Sequence, residues 1–248
     1  MKLNKGLLNA GQIRGNILNN ILGTTLGSER IVNVTDTNTP VLSLDAATYT
    51  GSGDWIDSIG NKHFTLHNNP TYTGTGVKYF SFTASSSQYA ECSTSLPTMN
   101  TFTLELWHYW NGTNTGDQPC LISEIFAGVC LNYAIGNLGG GITQGGYFNG
   151  GFQVSPPFTL TPNTWYQIVV TCDSSRLVKI YLNNTLISTQ STGGALPTSS
   201  NAGIRLMSRW DSIDCWGGRL GLVNIYNKAL DSTAITTKWN AKRTRFGL

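Results

Sequence analysis

A chain of 248 residues is long enough to bury a sizeable core, as one large β domain or two small ones. Only 12% of it is Asp, Glu, Lys or Arg, against roughly 25% in soluble domains; Gly, Ser, Thr and Asn fill the difference, which excludes a helical bundle and suits short strands joined by many turns. The net charge is +3, and Lys238, Lys242, Arg243 and Arg245 near the end outweigh it, so there is no general basic surface and no nucleic-acid partner is expected.

Residues 1–39 contain no Trp, Tyr or Phe. Leu7 and Leu8 are followed by Ile13, Ile17 and Ile21, with Leu18 and Leu22, at helical spacing. Gly11, Gly15 and several Asn weaken any isolated helix there. Such a segment orders only against something else. Two readings stand: a disordered leader, or an extended or partly helical arm that anchors the chain to a partner. The arm is preferred, because a solubilising leader does not need large aliphatics at that spacing. The stretch has no apolar run of signal-peptide length, and no membrane span is expected. The expectation is synthesis in a reducing cytoplasm.

From Pro40 the pattern turns to β. "VLSLDA" (41–46) and "YFSFTA" (79–84) alternate. "TFTLELWHYW" (101–110) puts Phe102, Leu104, Leu106 and His108 on one face and Thr103, Glu105 and Trp107 on the other. "TWYQIVVTCD" (164–173) and "LVKIYLNN" (177–184) flank "SSR" as a hairpin. "AGIRLMS" (202–208) and "GLVNIYN" (221–227) follow. Eight or more short strands with such turns predict an all-β sandwich. The clearest helix starts at Asp231 or Ser232, good N-caps, and runs to about Arg243. Its basic end reads as a solvated terminus suited to the helix dipole, in preference to an acidic partner. The five cysteines include no C-x-x-C pair, which speaks against a zinc site or a disulfide framework. Cys120 and Cys130 are placed to face each other across a hairpin, though a small core residue is the preferred reading of each.

The order of these segments resembles a laminin-G-like jelly roll of the concanavalin A-like lectin and glucanase superfamily. "LSLDAATYTGSGDWIDSIGNKHFTLHNNPTY" (42–72) looks like the opening of such domains, with Trp55, Asp57, Gly60 and Asn61 in their turn motif. "YFSFTASSSQYAEC", "FTLELWHYW", "NTWYQIVVTCDSSRLVKIYLNNTLI" and "GRLGLVNIYNKAL" look like successive strands and hairpins of the family. The resemblance covers residues 40–248. It implies an antiparallel two-sheet jelly-roll sandwich with a short C-terminal helix. The ending "YNKALDSTAITTKWNAKRTRFGL" also looks like the C-termini of structural proteins of bacteriophages, marine ones especially.

The superfamily includes glycoside hydrolases, which need paired carboxyls; in glucanases these sit as E-x-D-x-x-E on one strand. No such pair occurs here. Glu105 and Glu124 lack acidic neighbours at i±2 or i±4, and Glu105 is expected to face solvent or a neighbouring strand. No nucleophile elbow exists, and Cys172 sits in a core-like strand without a nearby histidine. No enzyme activity, cofactor or metal is expected. Asp57, with Asp54 and Asn61, reads as turn-stabilising rather than calcium-binding, and neither Asp117 nor Asp211 with Asp214 forms a dense acidic run.

Glycan binding is carried by loop aromatics with nearby polar groups. The candidates are Trp210 and Trp216 with Arg209, Asp211 and Asp214 in "MSRWDSIDCWGG"; Trp110 with Asn111 in "WNGTNTGDQ"; and Tyr147 with Phe148 and Asn149 in "QGGYFNGG". Two functions follow. The first is a non-enzymatic phage virion structural protein, a head decoration or tail or fibre component assembled in the host cytoplasm. It would be anchored to other virion proteins through residues 1–39 and is expected to be a homo-oligomer. The second is an adhesin or lectin for host or environmental polysaccharide.

Overall fold

The computed structural model describes residues 38–248, except 97–98, 100, 117–118, 125–133, 138–141, 149–151, 155–157, 192–202 and 210–211. Glu124 and the strands between 134 and 154 are described by their backbone alone. In chain order the strands are β1 (Leu42–Asp45), β2 (Trp55–Ile56), β3 (His63–His67), β4 (Thr71–Thr73), β5 (Tyr79–Phe82), β6 (Tyr89–Cys92), β7 (Phe102–Asn114), β8 (Cys120–Glu124), β9 (Ala134–Asn137), β10 (Ile142–Phe148), β11 (Phe152–Val154), β12 (Phe158–Thr159), β13 (Thr164–Cys172), β14 (Leu177–Leu182), β15 (Thr185–Ser191), β16 (Ile204–Leu206) and β17 (Trp216–Tyr226). Helix α1 (Ser232–Lys242) and a 3-10 turn at Arg243–Phe246 close the chain. All strand pairs are antiparallel, in two sheets. The first runs β15-β14-β13-β7-β17-β5-β4, with β1 also on β17. The second runs β11-β10-β9-β8-β16-β6-β3-β2, with β12 on β10. The jelly-roll sandwich expected from the sequence is what forms.

Alternation builds the core. Leu104 and Leu106 of β7, Ile168 and Val170 of β13, and Val223 and Ile225 of β17 meet Phe64, Ala90, Ile122 and Leu206 of the second sheet, all buried. Turn chemistry sets the registers. Asn183 and Asn184, at φ 48° and 65°, form the two-residue link between Leu182 and its partner Thr185, a geometry that asparagine tolerates. Asp57 is buried, and its carboxylate accepts from the backbone N–H groups of Ser43 (2.7 Å), Ile59 (3.1 Å) and Gly60 (2.7 Å). Those bonds give it the turn-stabilising role.

The outer face of the first sheet is the unusual one. Glu105 is 1% exposed. Its Oε1 accepts from Trp107 Nε1 (3.0 Å) and Gln167 Nε2 (2.9 Å). Its Oε2 accepts from Asn224 Nδ2 and the Tyr226 hydroxyl, both at 3.0 Å. So Glu105 turns toward the neighbouring strands β13 and β17 and is shut off from solvent. The C-terminal segment covers this face. Leu230, Ala234 and Ile235 pack on Val169, Tyr181 and Tyr226. The Trp107 ring stacks on Trp239 (5.6 Å) and Phe246 (4.7 Å). Asp231 caps α1, accepting from Ala234 N at 2.8 Å. A Cβ on Gly221 would lie 2.4 Å from the Phe246 ring, so the close approach requires glycine.

Arg243 of the basic end is exposed, but its neighbours are not simply solvated. Arg245 Nη1 lies 2.7 and 2.8 Å from the two Asp45 carboxylate oxygens, and Lys242 Nζ lies 3.6 Å from Asp45. Arg245 also donates to the carbonyls of Lys78 and Gly221. The acid these cations meet lies in their own sandwich. Cys130 falls outside the described residues; Gly136 stands opposite Cys120 on the β8–β9 ladder. Residues 1–37, with the whole arm stripe, also fall outside them.

Replacing Glu105 by Ala leaves its buried donors unpaired, at roughly 1–3 kcal/mol for each group not re-solvated. Urea denaturation of Glu105→Ala should show a loss of about 3 kcal/mol or more; a loss below about 1 kcal/mol contradicts the assignment. Burial lowers the His108 pKa to about 3, and the ring is wholly enclosed. The unfolded chain, with a histidine near 6.5, takes up the proton first. Stability from this group is therefore complete above about pH 6.5 and falls by about 1.4 kcal/mol per pH unit below it, toward pH 3. Between pH 5 and 6.5, His108→Leu should flatten the fall in urea midpoint; identical slopes in both proteins refute it.

Candidate functional site

One row on the outer face of the first sheet lies beside the C-terminal segment rather than beneath it. Strand alternation brings Tyr79 (β5), Arg219 (β17), Tyr109 (β7) and Trp165 (β13) to the same side, and all four are half-buried. Arg219 pairs with Tyr109 in register, and Tyr109 with Trp165. The Arg219 guanidinium carbon sits 4.7 Å from the Tyr79 ring centroid and 4.4 Å from that of Tyr109. Trp165 meets both tyrosines edge-on, at 5.9 and 5.7 Å. Its other neighbour is Phe246, 4.8 Å away, so the C-terminal segment forms one wall. Tyr109 donates its hydroxyl to Asn163 Oδ1 at 3.3 Å. The arrangement offers aromatic surface, a held cation and amide groups within a few side-chain widths. Those are the elements that stack on a sugar ring and bond its hydroxyls.

The residues named from the sequence are distributed differently. Trp216 is 0% and Trp110 6% exposed, both in the core, with ring centroids 6.1 Å apart. Neither ring offers a face to a ligand, which corrects their reading as loop platforms. Arg209 is tied to Asp214, Nη1 to Oδ2, at 2.9 Å. Trp210 and Asp211 lie outside the described residues, as do Asn149 and Asp117, and of Tyr147 and Phe148 only the backbone is described, in β10. Asn111 is exposed, two positions beyond Tyr109 on the same side of β7. Its Oδ1 accepts from Thr113 N (3.0 Å) and Thr113 Oγ1 (2.7 Å). Among the described candidates it is the one placed beside the aromatic row. Tyr79, Tyr109, Trp165 and Arg219 lie in strands, away from the loops in which the sequence signals exposed aromatics. A lone arginine in the apolar run "WGGRLGLV" was the available signal.

Other reactive groups are accounted for by packing. Burial pushes the Cys172 thiol up to about 11, the opposite of what a nucleophile needs. On the outer face of the second sheet, His67 stacks on Tyr89 at 4.4 Å and Arg205 sits 4.4 Å over the same ring. Arg205 donates to Glu91, from Nε at 2.8 Å, and to Ser212 Oγ at 2.7 Å. Both sides of that tyrosine are covered and the cation is matched.

No curated protein matches the sequence. Several solved structures share the fold. A structure of botulinum neurotoxin type C, whose passage into cells depends on interaction with two ganglioside molecules, is 15% identical with a TM-score of 0.62. The binding domain of botulinum neurotoxin DC in complex with SialylT is 15% identical at 0.63. Each alignment covers 82% of this chain and 51% of the other, so the chain spans about half the length of these structures. Domain 4 of an extracellular arabinanase from Geobacillus stearothermophilus, in complex with arabinotriose, is 17% identical with a TM-score of 0.63. There the alignment covers 80% of this chain and 97% of that domain. The family model described as the concanavalin A-like lectin/glucanases superfamily matches residues 83–236, more than half of the chain, and this protein belongs to that superfamily.

Proposed function

We propose that the sandwich is a non-catalytic carbohydrate-binding module whose ligand lies on the row Tyr79, Arg219, Tyr109 and Trp165. The observation that carries this reading is an arginine held between two half-buried tyrosine rings, with Trp165 edge-on to both, on a part of the sheet face that the C-terminal segment leaves uncovered. Two fold neighbours, the arabinanase domain with arabinotriose and the neurotoxin domain with SialylT, are structures of complexes, which supports the reading. The carboxylate on the same sheet face, Glu105, is committed to four hydrogen bonds and has no lone pair left for acid–base work.

Display on a phage particle is a second proposal, resting on the sequence resemblance and on the aliphatic stripe of residues 1–39. Under it, Ile17→Asp abolishes incorporation into particles; normal incorporation contradicts the anchor.

For carbohydrate binding, the full chain on a glycan array should retain at least one polysaccharide class. Trp165→Ala should weaken that binding about tenfold or more, since buried aromatic anchors each carry over 1 kcal/mol, with an unchanged far-ultraviolet circular dichroism spectrum. An array with no hits, or equal affinity in the variant, contradicts the reading.

A further inference from the structure

The three arginines Arg205, Arg209 and Arg245 are each matched by a carboxylate, from Glu91, Asp214 and Asp45. Arg219 is not. Among the described residues its side chain makes no ion pair and no hydrogen bond, and it lies over the rings of Tyr79 and Tyr109. Two rings at 4.7 and 4.4 Å fix the position of the guanidinium without using any of its five N–H donors. An arginine held this way has already lost much of its side-chain freedom, so an incoming acceptor does not have to order it.

We infer that the row takes an acidic saccharide, with the sugar carboxylate on the Arg219 guanidinium and the sugar ring against the adjoining aromatic surface. This deepens the proposed carbohydrate-binding role and rests on it. A planar carboxylate matches the guanidinium fork with two parallel hydrogen bonds, which a hydroxyl or a single point charge does not. The surroundings agree. Asp45 of β1, the carboxylate against which the C-terminal segment docks, is already held by Arg245 and Lys242, so it does not compete. Asn111 and Asn163, both exposed at this end of the sheet, supply amides for hydroxyls of a flanking residue.

The test uses the full chain and matched ligand pairs: sialyllactose against lactose, oligogalacturonate against its methyl ester, and a sulfated galactan oligosaccharide beside them. Affinities are read by isothermal titration at two salt concentrations. The expected result is that at least one carboxylate-bearing member binds tenfold or more tightly than its neutral partner, with the advantage shrinking at higher salt. Arg219→Gln should bring that ratio close to one, lowering the affinity of the acidic member far more than that of its neutral partner, and Arg219→Lys should restore the ratio only in part. Neutral members binding as well as acidic ones, or a ratio unchanged in Arg219→Gln, overturns the acidic assignment and leaves carbohydrate binding standing. Binding of the sulfated member alone overturns the carboxylate assignment. No binding to any member, with no hit on the wider array, overturns both.

Discussion

A carboxylate buried on the wrong side of a β-sandwich is the constraint that organises this molecule. Glu105 alternates to the outer face of the first sheet, where solvent would ordinarily hydrate it. It is instead saturated by donors from Trp107, Gln167, Asn224 and Tyr226. Those donors belong to the three adjacent strands β7, β13 and β17, so the network ties the centre of the sheet together. Shut off from water, the carboxylate depends on all four donors, because a half-satisfied network in a low-dielectric setting costs more than an apolar one. A cover on the outer face shuts it off.

The C-terminal segment is that cover. The link from β17 is pinned by Thr103, whose hydroxyl donates to Lys228 O at 2.7 Å and accepts from Leu230 N at 2.9 Å. The helix then lays Ala234 and Ile235 on the sheet. Trp239 and Phe246 close over Trp107, and Arg245 locks onto Asp45. Covering one part of the face also defines what is left. Beyond Phe246 the row of Tyr79, Arg219, Tyr109 and Trp165 is neither sealed nor fully solvated. The segment that protects the carboxylate thus becomes one wall of the site.

Much of the fold was legible in the sequence. Period-two alternation in 101–110 separates the two faces of β7 as they occur, the hairpin of 164–173 with 177–184 is β13 with β14, and Asp231 marks the helix start. Two features hid the site. Gly and Asn at 111–114 and 217–218 read as loop, yet β7 runs on to Asn114 and β17 begins at Trp216. Trp110 and Trp216 therefore read as loop aromatics, whereas they are inward-facing strand residues. The second feature is long-range. Tyr79, Tyr109, Trp165 and Arg219 are far apart in the chain and meet only through strand order, which local pattern does not give. The role of the basic tail was lost for the same reason, since its partner Asp45 lies 200 positions away in sequence from Arg245.

The central claim is that ligand recognition happens on this row and not at the loop tryptophans. Its most direct test is nuclear magnetic resonance of the tryptophan indole N–H and arginine Nε–H groups while the acidic and neutral oligosaccharides are titrated in. The account predicts that the Trp165 and Arg219 signals move in a saturable way, and that those of Trp110 and Trp216, buried in the core, stay in place. Movement at Trp210 with Trp165 and Arg219 unperturbed would contradict it.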